Sequence, residues 1–410
     1  MSPHSASRQH EAGFITGFSL LLPITLSTMA IVLLAPILPK LLEEFSHVPG
    51  YEYWVPMVLT VPALCVALFS PLAGMLGDYF GRRRLLIGSF VVYAIVGIMP
   101  VFLQDLTAIL ISRIGVGIAE AFIMVMTTTM IGDYFTAEKR DKWLSAQTAF
   151  ASVSALLFFN IGGQLGQFGW RTPFWVYGSA LLMMVLVILF TWEPSSDAHP
   201  DEEADQAPHN SSWEGFPWAR MLTIIAITVY GSIFFYTVQI QAPVGLDALG
   251  WKNPAQTGFW TSVASIGVPL GTLIFSQIAS TPIKRLLICE FAILTVGFSI
   301  MGYSHSPALF LVGCFINQIG AGMLLPSLVT WAMSILPFAV RSRGAGMWTG
   351  AFTAGQFLCP LVVTYFSQQF GGLFSAFSAL AVGAAIGVGI ALIGKYRRGI
   401  EGVSGAATHG

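Results

Sequence analysis

Apolar residues in this chain come in long unbroken runs. Twelve of them approach the roughly 20 residues that a helix needs to cross a bilayer: 14–40, 54–76, 85–104, 106–131, 143–166, 173–192, 218–246, 256–279, 285–303, 308–334, 343–367 and 372–395. A helix that is apolar on every side must be surrounded by lipid or by other helices. Pro23, Pro62, Pro269 and Pro360 lie inside these runs. Bundled spans tolerate such prolines because neighbouring helices satisfy the freed carbonyls. The pattern predicts an all-α membrane protein of twelve spans.

One polar stretch interrupts the series. Residues 193–216, "EPSSDAHPDEEADQAPHNSSWEGF", are acidic and carry proline and serine without any apolar period. Such a segment reads as a solvated linker. It divides the chain into a first six-span half (1–192), a linker (193–217) and a second six-span half (218–410). His199 and His209 lie in it, but their spacing matches no metal site.

Lysine and arginine positions orient the spans. With the N-terminus inside, 15 of the 19 basic residues fall in cytoplasmic segments, and only Lys40, Arg171 and Lys252 lie outside. Both termini are therefore expected in the cytoplasm. The polar first ten residues and the length of the first run argue against a cleaved leader.

Composition agrees with the pattern. The chain has 410 residues, of which 55% are hydrophobic and 10% charged, against about 25% charged in soluble proteins. A net charge of −1 gives no reason to expect nucleic acid. Cys65, Cys289, Cys314 and Cys359 all fall in apolar runs, too dispersed for a zinc site or a disulfide framework.

The halves resemble copies of each other. "RRRLLI" at 82–87 answers "IKRLLI" at 283–288, "GVGIA" at 115–119 answers "IGAG" at 319–322, and Arg140 answers Arg343. The offsets are about 200 throughout, in matching topological places. Parallel six-span repeats are a transporter architecture.

The loop after span two reads "GMLGDYFGRRRLL", 74–86. It closely resembles the G-x-x-x-D-x-x-G-R-[RK] loop of the major facilitator superfamily. Twelve spans, two halves, a long central loop, and Arg113 with Gly117 as R-x-x-x-G in span four also resemble that family, nearly along the whole chain. The resemblance implies two pseudo-symmetric six-helix halves and alternating access. It also implies a latch in which Asp78 meets the N-terminus of span eleven and Arg82 meets Asp133. That latch would join the halves on the cytoplasmic side when the carrier faces outward. The residues support this on their own. Gly74 and Gly77 permit close helix approach, Gly81 permits a tight turn, and Asp78 suits a helix N-terminus. Arg83 and Arg84 read simply as topology signals. The equivalent loop of the second half, "SQIASTPIKRLL", lacks the aspartate and the glycines.

Span four holds "RIGVGIAEAF", 113–122. Arg113 and Glu120 are seven residues apart, so they share a helix face about 10 Å apart along the axis. Each costs about 3 kcal/mol on insertion scales, and such charges normally face the bundle interior or a wet cavity. The small residues Gly115, Gly117 and Ala119 leave that face open. Span four lines the cavity in the superfamily. A carboxyl placed there can load and release protons. Glu120 is the only acid expected in the middle third of a span; Glu290 and Asp247 read as near span ends. The competing role for Glu120 is a fixed partner of Arg113 or a bridge between helices. Further candidates to line the cavity are Ser27 and Thr28, Asn160, Tyr236 and Gln239, Asn317 and Gln318, and Gln356. Trp348 and Phe352, one turn apart, read as packing.

No G-x-S-x-G elbow, nucleotide loop or H-E-x-x-H motif appears, so neither an enzyme nor a cofactor is expected. Transport must then be driven by a gradient. Drug:proton antiporters usually carry G-x-x-x-G-P in span five, where this chain has Phe158 and Phe159 before Gly162 and Gly163. The pattern Arg113, Gly117, Glu120, Ala121 instead resembles organic-anion symporters and spinster-like lipid transporters, although the span-one Asp-Arg of the latter is absent. The expectation is a bacterial inner-membrane, monomeric, proton-coupled carrier of a small organic compound. Efflux is favoured over symport or lipid transport, and a non-transporting sensor is the alternative from another class.

Overall fold

The computed structural model describes residues 12–193, 215–337, 340–394 and 396. Most of the linker, 194–214, lies outside the described residues. Twelve helical spans are seen among the described residues: α1 Phe14–Glu44, α2 Tyr51–Phe80, α3 Arg82–Val101, α4 Leu106–Tyr134, α5 Ala137–Gly166, α6 Thr172–Phe190, α7 Trp218–Ala248, α8 Pro254–Ile278, α9 Ile283–Gly302, α10 Pro307–Ile335, α11 Arg341–Phe370 and α12 Leu373–Ile393. Ten are long and apolar enough to cross a membrane by composition; α5 is apolar only over Phe150–Gly166, and α11 is the other. Nine of the spans are longer than the apolar runs, by up to seven residues in α2, whereas α3 matches its run in length and α6 and α12 are shorter.

Local chemistry sets the ends. Asp105 caps α4 by accepting from the Ala108 amide at 2.9 Å, and Asn253 caps α8, which opens with Pro254, by accepting from Ala255 at 2.9 Å. Both satisfy amides that a helix start leaves unpaired. Between α2 and α3 the chain turns at Gly81, whose φ of +93° disfavours any residue with a β-carbon. The first span is not one rod. It breaks after Leu21, before Pro23, and again at a 3₁₀ turn, Ala35–Ile37.

Packing repeats in the two sets of six. α4 lies against α2 and α3, and α10 lies against α8 and α9. Among the described residues the sets meet most extensively through two helix pairs, α2 with α11 and α5 with α8, and α1 also touches α7 and α8. With an even number of spans, α1 begins and α12 ends on one side, the termini side; the opposite side is the far side. On the far side the sets are bonded together. Tyr53 Oη donates to Gln368 Oε1 at 2.8 Å, Thr364 Oγ1 to the Glu52 carbonyl at 3.1 Å, and Asn160 Nδ2 to Ser262 Oγ at 2.9 Å. Backbone contact is equally close there: a β-carbon on Gly163 would stand 2.5 Å from the Pro254 carbonyl oxygen. On the termini side, Gly346 and Gly350 of α11 face open space. The bundle is closed at its far end and parted at the other.

Candidate functional site: a buried charge cluster and an ion-pair cluster at the termini side

α4 begins at its Asp105 cap and carries Arg113 two turns in and Glu120 midway along its 29 residues. Arg113 is 0% exposed. Its Nη2 donates to the carbonyls of Val96 at 3.3 Å and Gly97 at 3.1 Å. These belong to the last turn of α3, where carbonyls run out of amide partners and a cation is favoured. The guanidinium also lies 4.7 Å from the centre of the Tyr177 ring and 5.1 Å from that of Phe174, both on α6. A desolvated cation–π contact is worth about 2 kcal/mol or more and a hydrogen bond from a charged donor about 1.5–3 kcal/mol. Together these match the cost of placing the charge at this depth. Arg113 thus clamps α3, α4 and α6 together, turned into the interior of the first set.

Glu120 shares that face, as the seven-residue spacing requires, but makes no ion pair with Arg113. It is 4% exposed, and its Oε2 has no hydrogen-bond partner. Nε and Nη1 of Arg113 have none either. The small residues between the two charges do not leave a face open. A β-carbon on Gly117 would stand 2.6 Å from the backbone of Pro62, so this glycine seats α4 on α2.

The cavity candidates fall into distinct places. Thr28, Tyr236 and Gln239 are half-buried, and Gln356 is nearly covered. Asn160 is committed to the far-side closure. Besides Ser262, it donates to the Leu156 carbonyl at 2.8 Å. Asn317 is fully buried against Gly297 of α9 and accepts from Gln318 Nε2 at 3.3 Å, and Gln318 also donates to the Phe235 carbonyl at 3.4 Å. That pair is turned into the second set, away from any opening.

Two features had no functional reading in the sequence. Trp348 and Phe352 stack with centroids 5.6 Å apart and rings 9° from parallel, and the Phe352 ring centre lies 5.3 Å from that of Tyr236. Glu290 is fully buried in α9, where it accepts a 2.5 Å hydrogen bond from Ser327 of α10. Its position eight residues into α9, rather than at a span end, follows from a helix that starts at Ile283.

At the termini side the motif residues come together. Arg82 bonds both oxygens of Asp133 and holds Asp78 at 2.9 Å. Gly77, one turn before Gly81, packs on Met126 of α4, and Gly74 faces Val125. Asp78 remains 68% exposed on its side chain, and its described partner lies in its own set. Arg83 does more than mark topology. Its guanidinium donates to the Ile188 carbonyl at 2.9 Å, closing the end of α6.

Comparison with known proteins places this geometry. The profile of the Major Facilitator Superfamily matches residues 20–337. The chain belongs to the major facilitator superfamily. Its members are transporters, not enzymes, and this chain is a multi-pass membrane transporter of small molecules. It is 25% identical over 365 residues to the uncharacterized MFS-type transporter YceJ of Bacillus subtilis, covering 85% of this chain and 88% of that one. It is 26% identical over 247 residues to the class B tetracycline resistance protein of Escherichia coli, a match spanning 59% of this chain and 60% of that one. Among solved structures, a bacterial homologue of the human lysosomal transporter spinster superposes with a TM-score of 0.77 at 15% identity, covering 92% of this chain and 95% of that one. A D-xylose–proton symporter superposes with a TM-score of 0.70 at 18% identity, covering 92% and 96%.

Proposed function

We propose that the chain is a proton-coupled carrier that exports a small organic compound by alternating access. Glu120 is its protonation site, and both termini lie in the cytoplasm. The observation that carries this reading is the Glu120 carboxyl itself, midway through α4, almost fully covered, with neither a hydrogen bond nor an ion pair. A charge so placed is costly when dry, which favours the neutral acid. Opening the bundle to water removes that cost and lets the proton leave, so proton and substrate become linked through one change of state. Arg113 holds the frame of α3, α4 and α6 in which this happens. The likeness to a tetracycline resistance protein favours export.

With the termini side cytoplasmic, the described conformation faces inward. Asp78, Arg82 and Asp133 then form the first-set part of a latch. Its second-set part would be the start of α11, met when the inner ends of α2 and α11 close on each other through Gly74 and Gly350.

Purified protein in liposomes, given a proton gradient and a panel of amphipathic organic compounds, tests the reading. Wild type should accumulate a compound against its gradient with a pH-dependent rate. Glu120→Gln should bind and exchange that compound but lose accumulation and pH dependence. Accumulation that survives the substitution would make Glu120 a structural bridge. Absence of flux for every compound in the wild type would favour the sensor.

A further inference from the structure

A cavity, apart from the charge cluster, lies on the outer wall of the second set. It holds about 810 Å³ between α7, α11 and α12, and its walls include Tyr230, Phe234, Val362, Phe366, Ala379 and Gly383. We infer that this groove binds one acyl chain of a phospholipid from the far-side leaflet, and that the bound lipid holds the far-side closure shut.

Polarity, length and position each select that occupant. The groove opens on the lipid-facing surface: along α12, Val382, Ile386, Ile390 and Ile393 are all exposed and apolar, at spacings of three and four that place them on one face. No aqueous partner can cover such a face. The groove narrows near mid-membrane, where Tyr230 Oη donates to the Gly383 carbonyl at 2.5 Å, and ends at Ile386, its furthest wall residue on α12. From the start of α12 to that end is about 20 Å at 1.5 Å per residue, a little over half of a hydrocarbon core of about 30 Å. It therefore accommodates a chain that enters from one leaflet and ends near the midplane. The open mouth is the polar end. There the chain turns through Gly371 and Gly372, with φ of +80° and +135°, and α12 starts without a side-chain cap, next to Ser375 of the groove wall. Uncapped amides and a hydroxyl at headgroup depth suit the ester and phosphate of a lipid. An apolar body with a polar mouth at the membrane surface has the polarity profile of a phospholipid.

The link to the closure runs through α11. Val362, Phe366 and Phe370 line the groove at four-residue intervals. Thr364 and Gln368, displaced by two residues and so on the opposite face, bond α2 through the Glu52 carbonyl and Tyr53. A chain seated in the groove backs the same two turns of α11 that hold the far side closed. Removing it leaves those turns supported on one side only.

The test uses the full-length protein in nanodiscs of phosphatidylcholine doped with a phosphatidylcholine bearing a diazirine near the end of one acyl chain. After irradiation, labelled peptides are mapped by mass spectrometry. Wild type should show label at least fivefold enriched in α7, α11 and α12 over the other peripheral spans. Ala379→Trp, which fills the groove, and Val382→Trp, at its lipid-facing rim where folding is least at risk, should each abolish the enrichment. Ile390→Trp, on the same lipid face beyond the end of the groove, should not. Spin labels across the far ends of α5 and α8 should report a severalfold fall in the closed fraction in Val382→Trp, which excludes the chain at the rim, and a smaller fall in Ala379→Trp, whose indole backs α11 in place of the chain. Label spread evenly over the periphery, or enrichment that survives both groove variants, would overturn the proposal. So would crosslinking between copies through a cysteine at Ala379, which would show that a second copy covers the groove. These readouts do not depend on Glu120, so export could fail and the lipid site still stand.

Discussion

The far-side closure gives the most quantitative handle on this protein. Three hydrogen bonds join the two sets there, and each can be removed without leaving a large void: Tyr53→Phe, Asn160→Ala and Thr364→Val. A neutral hydrogen bond contributes about 0.5–1.5 kcal/mol net. Asn160–Ser262, at 2.9 Å with Ser262 buried, belongs toward the upper part of that range, and Tyr53–Gln368, at an exposed surface, toward the lower. Taken together the three are worth about 2 kcal/mol, or roughly a 30-fold change in the ratio of far-closed to far-open states. The residues lie on two separate helix pairs, so the α2–α11 and α5–α8 contributions should add. Spin labels on cysteines replacing Phe168 and Lys252, both exposed beside α5 and α8, would measure the distance distribution across the far side. The single Asn160→Ala should move the population several-fold, and the triple variant should make the far-open state dominant or close to it. A triple variant whose distance distribution matches that of the wild type would mean that these bonds follow the closure and do not hold it. The close backbone contact at Gly163 would then be the cause.

That alternative has its own test: Gly163→Leu places a side chain into the Pro254 backbone and should bar far-side closure, giving a far-open distribution even with all three hydrogen bonds intact. Asp78→Asn should leave expression and substrate binding near normal but abolish transport and reduce the outward-facing population, since about 1.4 kcal/mol is a tenfold change; transport at the wild-type rate would refute the latch. Arg113→Lys keeps a charge that can reach the same carbonyls but loses the planar guanidinium that lies against two rings, so thermal unfolding should fall by a few degrees with binding retained, while Arg113→Ala should fail to yield folded protein. A wild-type melting curve for Arg113→Ala would remove its role as a clamp. In a cysteine-free background, a cysteine replacing His305 should react with an impermeant reagent from outside and one replacing Glu193 only from inside; the reverse pattern would overturn the orientation, and labelling of both from outside would overturn the span count between them.

The number and order of the spans were readable because hydropathy reports the bilayer directly. The same fact explains the error at the ends. The run 54–76 ends where lipid ends, whereas the helix continues over Tyr51–Phe80 because its motif residues work in water and at the interface. On α4 the helical repeat gave the relation of Arg113 to Glu120 correctly but not the rotation of the helix. What turns Arg113 inward is a pair of carbonyls in α3 and two rings in α6, and no local pattern announces partners that distant. Glu290 was missed for a similar reason: its importance lies in Ser327, 37 residues away, and in complete burial. The contacts of Asp78 and Arg82 and the turn at Gly81 were legible because glycine at a positive φ and an Asp–Arg pair one turn apart are local requirements of the turn itself.

The interruptions in α1 bear on how such a bundle moves. Around Pro23 the amides of Thr25 and Leu26 bond three residues back, to Leu22 and Pro23, and around the 3₁₀ turn those of Leu34 and Ile37 do the same, to Ile31 and Leu34. Such tightened turns after lost bonds are where helices flex. The segment beyond the second break is fastened to α5, with Lys40 Nζ donating to the Gly166 carbonyl at 2.8 Å. The segment before the first break rests on Trp143 at the other end of α5. The middle piece, Ile24–Val32, is itself held, packed along α5 and accepting from Tyr93 Oη of α3 at the Leu26 carbonyl at 3.0 Å, so the two breaks let the outer pieces pivot about a fixed centre. Native-state amide exchange should show this as two narrow bands of fast exchange, at residues 22–25 and 33–37, flanking a slow segment. A carrier with this first helix would bend it on every cycle while α4, continuous from its cap to Tyr134, stays straight.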